Sequence, residues 1–219
     1  MMQHILLVLF CIFFCHNSDD FSSTDRGTQS GFLYLKISKI YTNKLTFSIK
    51  NTKGESLCLM KEGRIYFDSV SFDLIEEDFK YRERLKVEVL EPEYGLLIFK
   101  CKQVKKDVYV ISVNYQEAYI DRNKYEKLLE FKTLEQYLLS TYPIPSSLSP
   151  LRITPSDIGK VIEKYDQYTY IPLEVTGDWI KVKTSKDCYS GETPPKKDIT
   201  GWIRWREKGK IIIKLAYRC

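Results

Sequence analysis

Histidine is nearly missing from this 219-residue chain: only His4 and His16 occur, both close to the N-terminus. Everything downstream lacks the imidazole that Ser-His-Asp and Cys-His catalysis require, and the commonest ligand of zinc hydrolase sites. Glycine is sparse too. None of the ten glycines falls in a G-x-x-x-x-G-K or G-x-G-x-x-G spacing, so no phosphate-cradling loop is written in the chain. EF-hand calcium loops and C-x-x-C pairs are absent, and no metal or cofactor is expected. What survives is carboxylate chemistry, at Glu76-Glu77-Asp78 and Glu91-x-Glu93. The first cluster falls at an expected helix start, where acidic groups favour the dipole, and the second in a turn. Structural roles account for both, and a non-enzyme is expected.

No apolar run approaches the roughly twenty residues that a membrane-spanning helix needs. Ile5–Phe14 is nevertheless unbroken and apolar, the length of a secretory h-region, and polar Asn17-Ser18-Asp19-Asp20 follows. Residues 1–16 are therefore expected to be a signal peptide. Cys15 stands where a lipoprotein's acylated cysteine would stand, although Ile12-Phe13-Phe14 before it is bulkier than that chemistry prefers. Lipidation at Cys15 and simple secretion both follow from this pattern. Residues 17–31 read as a Ser/Thr/Asp/Gly tether. Export makes the cysteine count informative. Cys58, Cys101, Cys188 and Cys219 remain in the body, two in each half, which predicts Cys58–Cys101 and Cys188–Cys219 disulfides. Four buried free thiols are the alternative.

The body divides by pattern into a β-rich part, residues 32–142, a Pro/Ser-rich linker, 143–150, and a C-terminal part, 151–219. Short runs rich in β-branched and aromatic residues predict strands at 32–40, 45–49, 57–60, 64–70, 85–90, 96–101, 108–113 and 118–120. Asn51–Gly54, Glu62-Gly63 and Lys105–Asp107 supply turns between them. Capping signatures predict three short helices, opening at Asp73-x-x-Glu76, Asn123-x-x-Glu126 and Thr133-x-x-Gln136. The first would reach about Tyr81; the second would carry Tyr125, Leu128 and Leu129 on one side. The fold class is mainly β with a few short helices.

In the C-terminal part, Trp179, Lys181 and Lys183 alternate with Ile180, Val182 and Thr184, so one strand face is wet and the other apolar. Gly177-Asp178 before this run is a hairpin signal, and Gly201-Trp202-Ile203 opens a second run. These residues, with Leu151–Ser156 and Gly159–Ile162 upstream, resemble a bacterial SH3-type domain. There, a "W-x-K-V" strand pairs with a "G-W-[IV]" strand. The resemblance covers about a third of the chain and departs from the family in the long Ser185–Thr200 connection.

It implies a small barrel at 151–219 that binds cell-wall peptides without catalysis. It also implies a ligand groove at Tyr165, Tyr168, Trp179, Trp202 and Trp205, with Asp178 and Arg204 as polar partners. Core packing is the competing role for these rings. Trp202 and Trp205 point to opposite faces if the strand is regular, and Trp205 is expected to be the more exposed. The formal charge of +5 falls wholly in 151–219, since acidic and basic residues balance upstream. An exported basic surface suits an envelope polymer, a lipid headgroup or an acidic protein rather than nucleic acid. The expected protein is thus an exported envelope-binding protein, joined to the membrane through an N-terminal lipid anchor. It would recognise a cell-wall peptide or polymer or another envelope protein. The rival is an inhibitor or immunity-type protein that caps a toxin or hydrolase through the N-terminal part.

Overall fold

Leu33 and Leu35 alternate with Phe32 and Tyr34 along Gly31–Lys36 (β1), yet both sets are wholly or largely covered. A strand apolar on both sides must lie between two packed layers, and β1 does. The computed structural model describes residues 30–42, 45–67, 70–73, 83–91, 94–163, 168–185 and 197–217. The expected helix after Asp73 lies outside them, as do Cys15, Tyr165, Cys188, Cys219, Glu76, Glu77, Asp78 and Glu93.

The chain is mostly β, with antiparallel sheets and three short helices among the described residues. After β1 comes a helix, Ile37–Thr42 (α1), then Phe47–Lys50 (β2), Ser56–Lys61 (β3), Arg64–Phe67 (β4) and Val70–Asp73 (β5). Val89–Glu91 (β6), Leu96–Val104 (β7), Val108–Val113 (β8) and Gln116–Asp121 (β9) follow. Arg122–Tyr125 (α2), Leu129–Thr133 (β10) and Leu134–Leu138 (α3) complete this part. One sheet runs in the order β10-β1-β7-β8-β9-β2-β3-β4-β5, all antiparallel. Nine-residue β7 changes partner along its length. On the side away from β1 its first residues pair with β6, and Lys100 to Val104 pair with β8. The inner face of this sheet wraps the main core, which includes Leu33, Leu35, Phe47, Ile49, Met60, Ile65, Phe99 and Ile111.

Local chemistry explains where sequence expectations held and failed. At α3 the capping box forms as expected: Thr133 N–H donates to Gln136 Oε1 at 2.9 Å, and Gln136 N–H donates to Thr133 Oγ1 at 3.3 Å. The cap expected at Asn123 is instead Asp121, two residues earlier, whose Oδ1 accepts from Lys124 N–H at 2.8 Å. The helix lasts one turn, and Leu129 begins β10 instead of continuing it. Ile37–Ile40, expected as strand, is helical, and its i,i+3 isoleucines both sink into the main core.

Beyond α3 the chain builds a second, smaller assembly. Tyr142–Ile144 (β11), which runs into the segment expected to be a linker, is paired along its length with Lys214–Ala216 (β17). Tyr170–Thr176 (β12), Trp179–Thr184 (β13) and Thr200–Arg204 (β14) form a three-stranded antiparallel sheet. Arg206–Glu207 (β15) and Lys210–Ile211 (β16) make a short hairpin. Leu151, Tyr170, Ile180, Val182, Ile203, Trp205 and Ile213 pack with Leu138 of α3 into a second core.

A third cluster joins the two. Phe32, Val89, Ile98 and Tyr137 are buried together, with Tyr34, Leu96, Leu215 and Tyr217 packed around them. This is the second layer over β1. The Tyr137 ring stacks on Phe32 at 3.6 Å between centroids. Its hydroxyl lies 3.1 Å from Glu88 Oε1 and 2.5 Å from the Tyr217 hydroxyl. Burial, then the neighbouring Glu88 carboxylate, raises the Tyr137 hydroxyl well above the usual phenol range, and burial pushes Tyr217 up to about 12.

Candidate functional site

The Gly177-Asp178 turn closes the β12–β13 hairpin as its sequence predicts, with Gly177 at φ +56°. Register then decides which side chains meet. Val175, Ile180 and Ile203 line up on one face and enter the second core or pack against it. On the other face, successive rungs carry Thr176, Trp179 and Arg204; Glu174, Lys181 and Trp202; then Ile171, Lys183 and Thr200. Lys181 Nζ lies 5.4 Å from the centroid of the Trp202 ring and 3.8 Å from Glu174 Oε1. Both tryptophans are half-buried, and the Lys181 ammonium stands by the Trp202 ring.

Arg152 extends this sheet past β14. Its N–H donates to the Trp202 carbonyl at 2.8 Å, and Trp202 N–H donates back at 2.7 Å. Gly201 permits that approach, since a Cβ there would stand 2.8 Å from the Arg152 carbonyl oxygen. The following turn, 153–160, flanks the face. Arg204 ties to it through Asp157 Oδ2 at 3.2 Å, and also reaches Glu207 Oε1 at 3.6 Å.

Of the residues expected at a ligand groove, Trp179, Trp202 and Arg204 share the outward face. Three others have different roles. Trp205, expected to be the more exposed tryptophan, is only 3 % exposed and belongs to the second core. Its indole N–H donates to the Gly177 carbonyl at 3.0 Å, and the Arg206 guanidinium lies 4.8 Å from its ring. Asp178 serves the hairpin: its Oδ1 accepts from Arg206 Nε at 2.7 Å. Tyr168 is half-buried and packs against the second core. Sequence reasoning passed over Arg152 and Glu174 as site residues; their signal lay only in cross-strand register.

The expected Cys58–Cys101 disulfide is not formed: both are free, buried cysteines. They sit on β3 and β7, four strand steps apart in the sheet order, at about 4.8 Å per step. A disulfide needs Cα atoms within roughly 7 Å. Burial pushes each thiol up to about 12. An unfolded thiol loses its proton near pH 9, well before the buried one, so between these values the native state holds protons that the unfolded state has shed. Stability from these groups is complete below pH 9 and is lost as pH rises towards 12. Denaturant midpoints are expected to fall over that window, and Cys58→Ala with Cys101→Ala should flatten the decline. Peptide mapping after non-reducing iodoacetamide treatment should find both thiols alkylated only once the chain is unfolded. A Cys58–Cys101 linked peptide would refute the assignment.

Among the described residues no group of three or more His, Cys, Asp or Glu is placed to hold a metal, and no helix is long and apolar enough to cross a membrane. An open depression of about 310 Å³ is lined by Ser56, Leu57, Cys58, Leu59 and Tyr66 on β3 and β4. Comparison with family models, curated proteins and solved structures found no match for this chain.

Proposed function

We propose that the protein is an exported, non-catalytic envelope-binding protein. In this reading residues 1–16 direct export and Cys15 carries a lipid anchor. An SH3-like module at 151–219 takes a cell-wall peptide or polymer on the outward face of β13 and β14. The observation that supports it is the cross-strand ladder on that face, where Trp179 stands beside Arg204 and Lys181 beside Trp202. Tryptophan gives stiff contact area with one hydrogen-bonding handle, and the lysines and arginine suit carboxylates or phosphates of an envelope polymer. The inhibitor reading would put the largest apolar display on the N-terminal sheet. Among the described residues the most exposed aliphatic side chains, Leu148, Ile153 and Ile158, all lie after α3, while the N-terminal part displays the amphipathic rings of Tyr94 and Tyr115.

Co-sedimentation with purified sacculi tests the proposal. Trp179→Ala combined with Lys181→Glu is expected to weaken binding about tenfold, the effect of losing one moderate interface anchor. Lys50→Ala, on the exposed end of β2, should leave binding unchanged. Equal retention of all three proteins on sacculi, or no retention of the parent, would reject the reading.

A further inference from the structure

Arg204 is a junction for three turns. Its carbonyl accepts from Ser149 Oγ, while its guanidinium holds Asp157 and Glu207. Each turn sends a neighbouring side chain outward. Leu148, beside Ser149, is 84 % exposed; Ile158, beside Asp157, is 96 % exposed. Exposed Lys208 follows Glu207 at the tip of the β15–β16 hairpin.

These turns are built rather than loose. Ser146 and Ser149 exchange backbone hydrogen bonds at 3.1 Å. The second turn is closed by Ile153 N–H on the Lys160 carbonyl at 3.0 Å and by Arg152 Nη1 on the Gly159 carbonyl at 2.6 Å. Gly159 is packed so tightly that a Cβ would stand 2.5 Å from Thr154 Oγ1. Ordered backbone thus holds two large aliphatic side chains in water, at a cost in hydrophobic free energy that folding leaves unrecovered.

We infer that this junction is a contact surface for an anionic lipid bilayer, with Leu148 and Ile158 entering the acyl boundary and Lys160, Lys208 and Lys210 lying against headgroups. Shape and charge select lipid. The aliphatic side chains project from convex turns, which a soft surface accommodates without a matching cavity. Arg204 pairs with both Asp157 and Glu207, a group that keeps one negative charge, whereas Lys160, Lys208 and Lys210 have no carboxylate partner among the described residues, so these six groups together carry a net positive charge of two. The chain's whole excess of positive charge also falls in 151–219. Exposed aliphatic tips together with unpaired lysines on turns joined at one arginine are the pattern of an interfacial anchor on anionic membranes. The inference shares Arg204 with the proposed polymer face, but the side chains its test alters, Leu148, Ile158, Lys160, Lys208 and Lys210, are not part of that face.

Amide hydrogen exchange on the full chain, read peptide by peptide, tests it with vesicles of phosphatidylcholine alone or mixed equally with phosphatidylglycerol. Slower exchange is expected at 146–161 and 206–211 with the mixed vesicles only. The local readout is blind to any other segment that meets the vesicle. Leu148→Ser with Ile158→Ser should raise the lipid concentration needed for half-maximal protection about tenfold, as should Lys160→Gln, Lys208→Gln and Lys210→Gln combined. All five side chains are exposed, so the melting temperature should not move. Exchange at these turns that ignores anionic vesicles, or slows equally with neutral ones, overturns the inference. So does a native-melting Leu148→Ser/Ile158→Ser variant that binds like the parent, or protection conferred only by a protein partner.

Discussion

Tyr137→Ala is expected to destabilise the chain by about 3–5 kcal/mol, the range for deleting a fully buried aromatic ring. The ring stacks on Phe32, and its hydroxyl joins Glu88 to Tyr217, so one substitution opens the layer that links β1 to β17. Tyr137→Phe keeps the stack and removes only the hydroxyl, and should cost about 1 kcal/mol, because Glu88 is exposed enough to turn to water. The two effects separate packing from hydrogen bonding at one position. All three tryptophans lie in the smaller assembly, so indole fluorescence reports it while far-UV circular dichroism reports mainly the large sheet. In the parent the two denaturation curves should coincide. In Tyr137→Ala the fluorescence transition should come at lower denaturant than the dichroism. Coincident, unshifted curves for the alanine variant would disprove the linking role of this cluster.

The second large effect separates two tryptophans three residues apart. Trp205→Ala should cost about 3–5 kcal/mol, since it empties a core position, orphans the Gly177 carbonyl and removes the ring under Arg206. Trp202→Ala should cost about 1–2 kcal/mol: its ring is half-buried, its backbone bonds to Arg152 survive, and the Lys181 contact is worth about 0.5–1 kcal/mol. The functional pattern should invert, with Trp202→Ala weakening sacculus binding while Trp205→Phe leaves it intact. Urea midpoints of the two alanine variants decide the matter. A Trp202→Ala loss as large as that of Trp205→Ala would mean the face has been misassigned.

What could be read without coordinates was what depends on near neighbours in sequence. Thr133 with Gln136, and Gly177 with Asp178, carry their conformations in their own side chains or lack of one, and both formed as expected. Alternation through Trp179, Lys181 and Lys183 correctly separated the wet face from the apolar one. Period alone said that Trp202 and Trp205 diverge but not which one turns inward; that was decided by the Gly177 carbonyl and Asp178 across the hairpin. Ile37–Ile40 misled because β-branched residues favour strands, whereas a core ready to take Ile37 and Ile40 together rewarded a helical turn. Cys58 and Cys101 misled because an even count says nothing about sheet order. Ile158 is unremarkable as one apolar residue in a turn, and its meaning arises only from the Arg204 junction.

The position of β1 has a kinetic consequence. Among the described residues its strand partners are Leu96–Cys101 and Leu129–Thr133. A ribosome adding about 5–20 residues per second needs roughly five to twenty seconds to travel from Gly31 to Thr133. Until Cys101 has been added the nascent segment Phe-Leu-Tyr-Leu lacks both partners, and until Thr133 it keeps one unsatisfied edge, open to pairing with other chains. Crowded synthesis, in which many such segments wait side by side for their later strands, should favour aggregates over soluble product.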